Sequence, residues 1–188
     1  MSWTNFFEQN QSTLDSYDEI ELKIKEFIRS GTDVNYKDLE GETPLHLASE
    51  KGYVTVVKIL IDKRADVDIK DKWGRNPLHY ASKIGHLDIV KILIDRGVDI
   101  NVKDKWDRTA LHYVSERGHL DTVKLLVEYG ACLNSLDKDG NKPIDLSKNE
   151  EIKEYLSNAK QMMDKRDIHS YFWVMVYNHP SIKRKNKN

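Results

Sequence analysis

Three consecutive segments of this chain can be written under one another without a gap. Asp38 to Lys70 reads DLEGETPLHLASEKGYVTVVKILIDKRADVDIK, Asp71 to Lys103 reads DKWGRNPLHYASKIGHLDIVKILIDRGVDINVK, and Asp104 to Leu136 reads DKWDRTALHYVSERGHLDTVKLLVEYGACLNSL. The period is about 33 residues, a length typical of stacked helical repeats. About half of the positions of the second and third segments are identical. A repeat of this size restricts the chain to an array of small supersecondary units. One such unit cannot bury its apolar face alone, so the core must come from stacking neighbours.

Each recurring position has a local physical reason. Thr43, Asn76 and Thr109 stand where a helix N-cap is needed, and Pro44 and Pro77 follow at the first helical position, with Ala110 in the third segment. A side-chain oxygen there satisfies an orphan N–H, and proline lacks only an N–H that would be unbonded anyway. Leu45 and Ala48, Leu78 and Ala81, and Leu111 and Val114 place apolar groups one turn apart on a short inner helix, which Gly52, Gly85 and Gly118 end. A second helix follows with apolar residues at i, i+3 and i+4: Val57, Leu60 and Ile61, then Val90, Leu93 and Ile94, then Val123, Leu126 and Val127. The ladder extends back to Ile24, Phe27 and Ile28, and forward to Ile152, Tyr155 and Leu156.

These TPLH-type and GHLDIVK-type strings resemble ankyrin repeats, and the resemblance covers about residues 15–157. It implies an all-α solenoid of stacked helix-turn-helix units joined by β-turn loops. The expected division is capping helices and a half-repeat over 1–37, full repeats over 38–70, 71–103 and 104–136, a shortened capping repeat over 137–160, and an apolar segment with a basic tail over 161–188. The Lys142-Pro143-Ile144-Asp145-Leu146-Ser147 string departs from the family pattern as a capping repeat would. Arg64 stands where the other full repeats have Gly97 and Gly130, and Asp107 where they have Gly41 and Gly74. If those backbones are left-handed, a non-glycine residue costs about 1 kcal/mol, less for aspartate.

The ends read differently. Trp3, Phe6 and Phe7 have the spacing of a helix that covers the exposed end of a stack. The run Tyr171 to Tyr177, containing Trp173, is the most apolar in the chain, is too short to span a bilayer, and is expected to pack on the last repeat. Lys183-Arg184-Lys185 resembles a nuclear-import or phosphate-contacting cluster and is read here as a solvated tail.

Charge narrows the function. The 30 basic and 31 acidic side chains nearly cancel, which argues against non-specific nucleic-acid binding. No secretory leader is read at Met1-Ser2-Trp3-Thr4-Asn5, and no apolar run is long enough to span a membrane. The lone Cys132 suits a reducing compartment, so the chain reads as cytoplasmic, with nuclear or secreted-effector placement left open. A composition rich in Lys, Ile and Asn is compatible with an AT-rich genome, such as that of an intracellular bacterium or a large virus. Cys132 has no base beside it and, between Ala131 and Leu133, is expected to be buried or half-buried.

No glycine-rich phosphate loop, catalytic carboxylate pair or cysteine-rich metal motif is present, so no enzyme and no cofactor is expected. His46, His79 and His112 recur at the repeat period, too far apart to share one ion whose bonds are only about 2.0 Å long. The resemblance implies instead that they hydrogen-bond neighbouring turns together. The Asp33-Val34-Asn35 and Asp99-Ile100-Asn101 strings look like the asparagine sites hydroxylated in other ankyrin proteins, although closing the loop between repeats is sufficient reason for them.

What remains is the surface the scaffold does not need. By resemblance, ankyrin proteins bind partners with their β-turn tips and the exposed side of the inner helix. The second repeat offers Lys72, Trp73, Arg75, Lys83 and Ile84, and the third Lys105, Trp106, Arg108, Glu116 and Arg117. The first repeat is acidic there, with Leu39, Glu40, Glu42, Glu50 and Lys51, and the shortened repeat adds Lys138 and Asp139. Adjacent tips thus present the same Lys-Trp-x-Arg string, in residue types enriched at binding hot spots. The expectation is a protein partner of acidic character, with a monomer favoured and the oligomeric state left open. The alternatives are an effector or adaptor of an intracellular bacterium or virus directed at host proteins, and nucleic-acid binding through the basic-aromatic tips. Tyr80 and Tyr113 fit either a groove floor or core packing.

Overall fold

The computed structural model describes residues 3–9 and 17–165; the 171–177 run and the Lys183-Arg184-Lys185 cluster lie outside them. Ten helices follow one another among the described residues: α1 Trp3–Gln9, α2 Tyr17–Arg29, α3 Pro44–Lys51, α4 Val54–Asp62, α5 Pro77–Ile84, α6 Leu87–Asp95, α7 Ala110–Arg117, α8 Leu120–Glu128, α9 Pro143–Leu146 and α10 Glu150–Lys165. They form two layers. The inner helices α3, α5, α7 and α9 pack side by side, and the outer helices α2, α4, α6, α8 and α10 do the same behind them. Helix α1 lies against α3, in the place of an inner helix for the first pair.

The inner helices begin and end as their sequence dictates. Thr43, Asn76 and Thr109 hold extended backbone at the N-caps, and Gly52, Gly85 and Gly118 close the helices with φ of 79°, 88° and 82°. The apolar ladders of both layers meet between them, where Leu45, Leu60, Leu78, Leu93, Leu111 and Leu126 are all at most 1% exposed. At the N-terminal end Trp3, Phe6 and Phe7 are buried, and Phe6 stacks on Phe27 with ring centroids 4.8 Å apart. The Trp3 indole N–H donates to the Asp33 carbonyl at 3.0 Å, which ties this cap to the loop before the first tip. At the other end Ile152 and Leu156 of α10 are buried against the stack.

Two sets of histidines join neighbouring repeats. His46 Nδ1 accepts the Thr43 backbone N–H at 3.0 Å, which leaves Nε2–H to donate to the Arg75 carbonyl of the next repeat at 3.0 Å. His79 and His112 do the same to the carbonyls of Arg108 and Asn141, at 3.2 and 3.3 Å. The second set reaches backwards. His86 bonds the Glu50 carbonyl at 3.0 Å, and its ring lies over Gly52, where an added Cβ would sit 2.7 Å away. The His119 ring covers Gly85 in the same manner, 2.5 Å from the position of an added Cβ.

The outer loops are tied by amide and carboxylate side chains. Asn35 Oδ1 accepts the Asp66 N–H at 2.9 Å, Asp68 Oδ1 the Asp99 N–H at 2.9 Å, and Asn101 Oδ1 the Cys132 N–H at 2.8 Å. Cys132 itself is exposed, contrary to the expectation from its apolar neighbours. The extended loop turns Ala131 and Leu133 inward, at 3% and 7% exposure, so the residue between them faces out.

The left-handed positions are as expected. Arg64 has φ 67° and Asp107 has φ 59°, in register with glycines at φ 87° and 92° for the first and 79° at both counterparts of the second. Arg64 is exposed at the end of the first repeat, so Arg64→Gly relieves the backbone without disturbing the core. The gain is expected to be about 0.5–1 kcal/mol, net of the entropy glycine adds to the unfolded chain. Urea unfolding checks it, and a loss of stability would contradict the strain argument.

Burial pushes His46 down to about 4 from an ordinary value of 6.5, and lowers His79 and His112 in the same direction. Between pH 6.5 and 4 the unfolded chain therefore takes up protons that the fold refuses, and stability must fall as pH falls through that window. His46 alone accounts for a loss on the order of 3 kcal/mol. Asp71 and Asp137, held below their ordinary value of 3.8, act only at lower pH, and the raised Glu42 partly offsets the histidines. Urea melts at pH 7, 5.5 and 4.5 should show a steady loss; a flat profile would mean that the rings are not held neutral.

Candidate interaction surface

Every tip is folded by one aspartate. Asp71 Oδ1 accepts the backbone N–H groups of Trp73 and Arg75, both at 2.8 Å, and Asp104 Oδ1 those of Trp106 and Arg108 at 2.8 and 2.9 Å. Asp38 serves Glu40 and Glu42, and Asp137 serves Asp139 and Asn141, in the same way. The sequence carries this signal in the aspartate that opens every repeat, two positions before the tip residue it bonds. Sequence reasoning missed it, because an acid at a segment boundary marks the boundary without showing its N–H partners.

Successive tips are then laddered by backbone. The N–H of Lys72 donates to the Glu40 carbonyl at 3.0 Å, that of Lys105 to Trp73 at 2.8 Å, and that of Lys138 to Trp106 at 3.0 Å. The two Lys-Trp-x-Arg strings therefore sit on adjacent tips, held by main chain and aspartate rather than by their own side chains. Lys83 and Ile84 end α5, and Glu116 and Arg117 end α7. The Arg108 to Glu116 ion pair, at 3.3 Å, shows that this last turn reaches the tip beside it.

The candidate side chains divide by what they touch. Lys72, Lys105, Ile84, Trp106, Glu116 and Arg117 are exposed, with Trp106 at 47% and Ile84 at 43%. Trp73 and Lys83 are half-buried. Arg75 is folded back: its guanidinium lies 4.6 Å from the centroids of both Trp73 and Tyr80, and pairs with Asp71 at 2.7 Å and Glu42 at 3.8 Å. Arg108 is likewise engaged, 3.4 Å from Asp137 as well as paired with Glu116.

The tyrosines belong to this polar layer beneath the tips. Tyr80 is 5% exposed; its hydroxyl accepts from Arg75 at 2.6 Å and faces the carboxylates of Glu42 and Asp71. Burial and the two carboxylates hold the Tyr80 phenol protonated. Burial also raises Glu42, with Asp38 and Glu50 adding to it against the bond from Tyr80. For Asp71 burial works the other way from the net result: the Arg75 N–H, Tyr80 and the Arg75 guanidinium outweigh it and hold the carboxyl below its ordinary value. The Tyr113 hydroxyl donates to Asp104 at 2.6 Å, and Arg108 lies 6.0 Å from its ring centroid.

Among the described residues no group of three or more His, Cys, Asp or Glu side chains is placed to hold a metal ion. No helix among them is long and apolar enough to cross a membrane. What the geometry offers is a row of rigid tips with a mixed apolar and charged outer edge, suited to contact with another macromolecule.

Known proteins match this pattern. A family model described as ankyrin repeats (3 copies) matches residues 19–104, and one described as ankyrin repeats (many copies) matches residues 85–127. A putative ankyrin repeat protein of fowlpox virus is 61% identical over 36 residues, which is 19% of this chain and 8% of the viral protein. Acyl-CoA-binding domain-containing protein 2 of Arabidopsis thaliana is 47% identical over 45 residues, 24% of this chain and 12% of that protein. Serine/threonine-protein kinase 12 of the same plant is 46% identical over 41 residues, 22% of this chain and 9% of the kinase. The chain thus matches about a tenth of the length of these relatives, and the activities in their names do not carry across. Taken together, the two models span the array from α2 to α8, more than half of the chain, and the chain belongs to the ankyrin-repeat family.

Proposed function

We propose that this chain is a protein-interaction scaffold whose partner sits across the tips and the rim of the inner helices, with Trp106 at the centre of the contact. Ankyrin repeats are generally protein-interaction modules. The observation that carries the reading is Trp106 itself. It stands 47% exposed on a tip that main-chain bonds and Asp104 already hold. The scaffold gains little from a large aromatic there, whereas a partner that desolvates it gains much. Trp73 supports the same surface from a half-buried position, Lys72 and Lys105 give it a positive edge, and Ile84 continues its apolar part onto α5. With Arg75 and Arg108 drawn into internal pairs, the acidic character of the partner rests on the lysines.

The similarity to a fowlpox virus protein supports a narrower reading, an adaptor of a virus or intracellular bacterium directed at host proteins. Both readings place the working chain inside a cell and need no chemistry of its own.

Capture from native cell extract separates surface from scaffold. Trp106→Ala, with an unchanged thermal melt, is expected to weaken partner capture at least thirtyfold, roughly the loss of a 2 kcal/mol hot spot. The Trp73→Ala/Trp106→Ala double variant should abolish it. A folded Trp106→Ala variant that captures the same proteins as the wild type, at the same affinity, would overturn the assignment of this surface.

A further inference from the structure

Two sets of lysines recur at the repeat period on this array. Lys37 and Lys103 use their ammonium groups inside it, on the carbonyls of Lys70 and Leu136 at 2.9 and 2.8 Å. Lys72, Lys105 and Lys138 are different. They occupy one register position on three successive tips, all exposed, and among the described residues no hydrogen bond or ion pair involves their ammonium groups. Leu39 fills the same position on the first tip and is 86% exposed. The neighbouring arginines are neutralised within the fold, Arg75 by Asp71 and Glu42, Arg108 by Asp137 and Glu116. The free positive charge of the tips is therefore a row of three lysines, one per tip, beginning beside one exposed leucine.

The spacing of that row is set by side-by-side packing of the inner helices, about 8–10 Å from axis to axis. An extended strand places same-face side chains about 6.6–6.8 Å apart, so its carboxylates would drift out of step with the lysines after one contact. A polyproline II helix has three residues per turn and rises about 3.1 Å per residue, so every third side chain lies on one face about 9 Å from the last. We propose that the row Leu39, Lys72, Lys105 and Lys138 binds an acidic segment of a partner protein in the polyproline II conformation. Its carboxylates fall at every third residue, and the next position in the same register carries an apolar side chain against Leu39. The proposal rests on the interaction reading above and names the partner's chemistry. Acids beside the row agree with the order of the motif. Glu40 disfavours a carboxylate opposite Leu39, while Asp139 and the half-buried Asp107 make Lys138 the weakest of the three cation positions.

Labelled peptides test the register on the full chain by fluorescence anisotropy at low salt. The first carries Leu and then three Glu, each separated by two prolines. The second has the same composition with Glu at alternate positions, and the third is a helical peptide with Glu at every seventh residue. The first is expected to bind at least tenfold more tightly than the other two, and to lose that advantage both in Lys72→Gln/Lys105→Gln/Lys138→Gln and at high salt. All three substitutions are at exposed positions, and a thermal melt confirms the fold. Equal affinity for the three peptides, preference for the helical one, or undiminished binding by the triple variant would overturn the proposal. Capture that depends on Trp106 but is neither weakened by the triple variant nor displaced by the first peptide overturns the register alone and leaves the interaction reading standing.

Discussion

A neutral imidazole holds each repeat to the next. In His46 one nitrogen accepts the N–H at the start of its own inner helix, and the other donates to the main chain of the following tip. One ring is thus part of a helix cap and part of the joint between repeats. Protonation would give Nδ1 a hydrogen that faces another N–H, in a site with little access to water. The solenoid therefore depends on the rings staying uncharged, and burial is what keeps them so. Without that joint the apolar ladders and the main-chain bonds between tips would still favour stacking, but each inner helix would lose both a partner at its first turn and its tie to the following tip.

Because the tips are held by histidine, aspartate and main chain, their outward side chains are released from structural duty. Where they turn is decided by their neighbours. The strings around Trp73 and Trp106 match, but Arg75 has Glu42 on the tip before it, and Arg108 has Arg75. Arg75 therefore turns toward Glu42, Asp71 and Tyr80 and lies over its own tryptophan. Arg108, facing a like charge on that side, is drawn toward Asp137 and Glu116 instead, and Trp106 is left open. The difference between a half-buried and an exposed tryptophan follows two changes of sign at equivalent positions, Glu42 against Arg75 on the preceding tips and Lys83 against Glu116 at the ends of the inner helices.

That distinction marks the limit of what the chain disclosed before its structure. Helix boundaries, caps and left-handed positions were legible because their causes are local: a threonine before a proline, a glycine after a turn, an arginine where its counterparts are glycine. The covering role of Trp3, Phe6 and Phe7 was legible from helical spacing. The engagement of Arg75 and Arg108 was not, because their partners include residues on other tips. Nor was the role of the aspartates that build the tips, since a recurring acid at a segment boundary looks like ordinary surface charge until its N–H partners are seen. Cys132 eludes the sequence for a simpler reason. Burial of its two neighbours implies the opposite for a residue between them in an extended loop.

Coupling between neighbours also explains why positions equivalent in the alignment do not constrain the chain equally. Gly52 and Gly85 have the backbone twist of a helix end, and in addition the space of a Cβ is filled by the imidazole of the following repeat. Gly118 has the same twist, but nothing lies within 4 Å of where its Cβ would be. The shortened fourth repeat has no histidine in that register, so the last glycine answers only to its own φ. Arg64 is left-handed without being glycine in a register where its counterpart Gly97 also has nothing within 4 Å of an added Cβ. At the counterparts of Asp107, Gly41 and Gly74, the nearest atoms to an added Cβ are main chain of the next tip, at 3.0 and 3.3 Å, so a side chain there needs that tip to give by a few tenths of an ångström. At Gly52 and Gly85 the ring of the next repeat stands closer to an added Cβ, at 2.7 and 2.5 Å, than the next tip's main chain does at Gly41 and Gly74. In a stack joined only to its neighbours, each unit thus sets part of the sequence rule for the one before it.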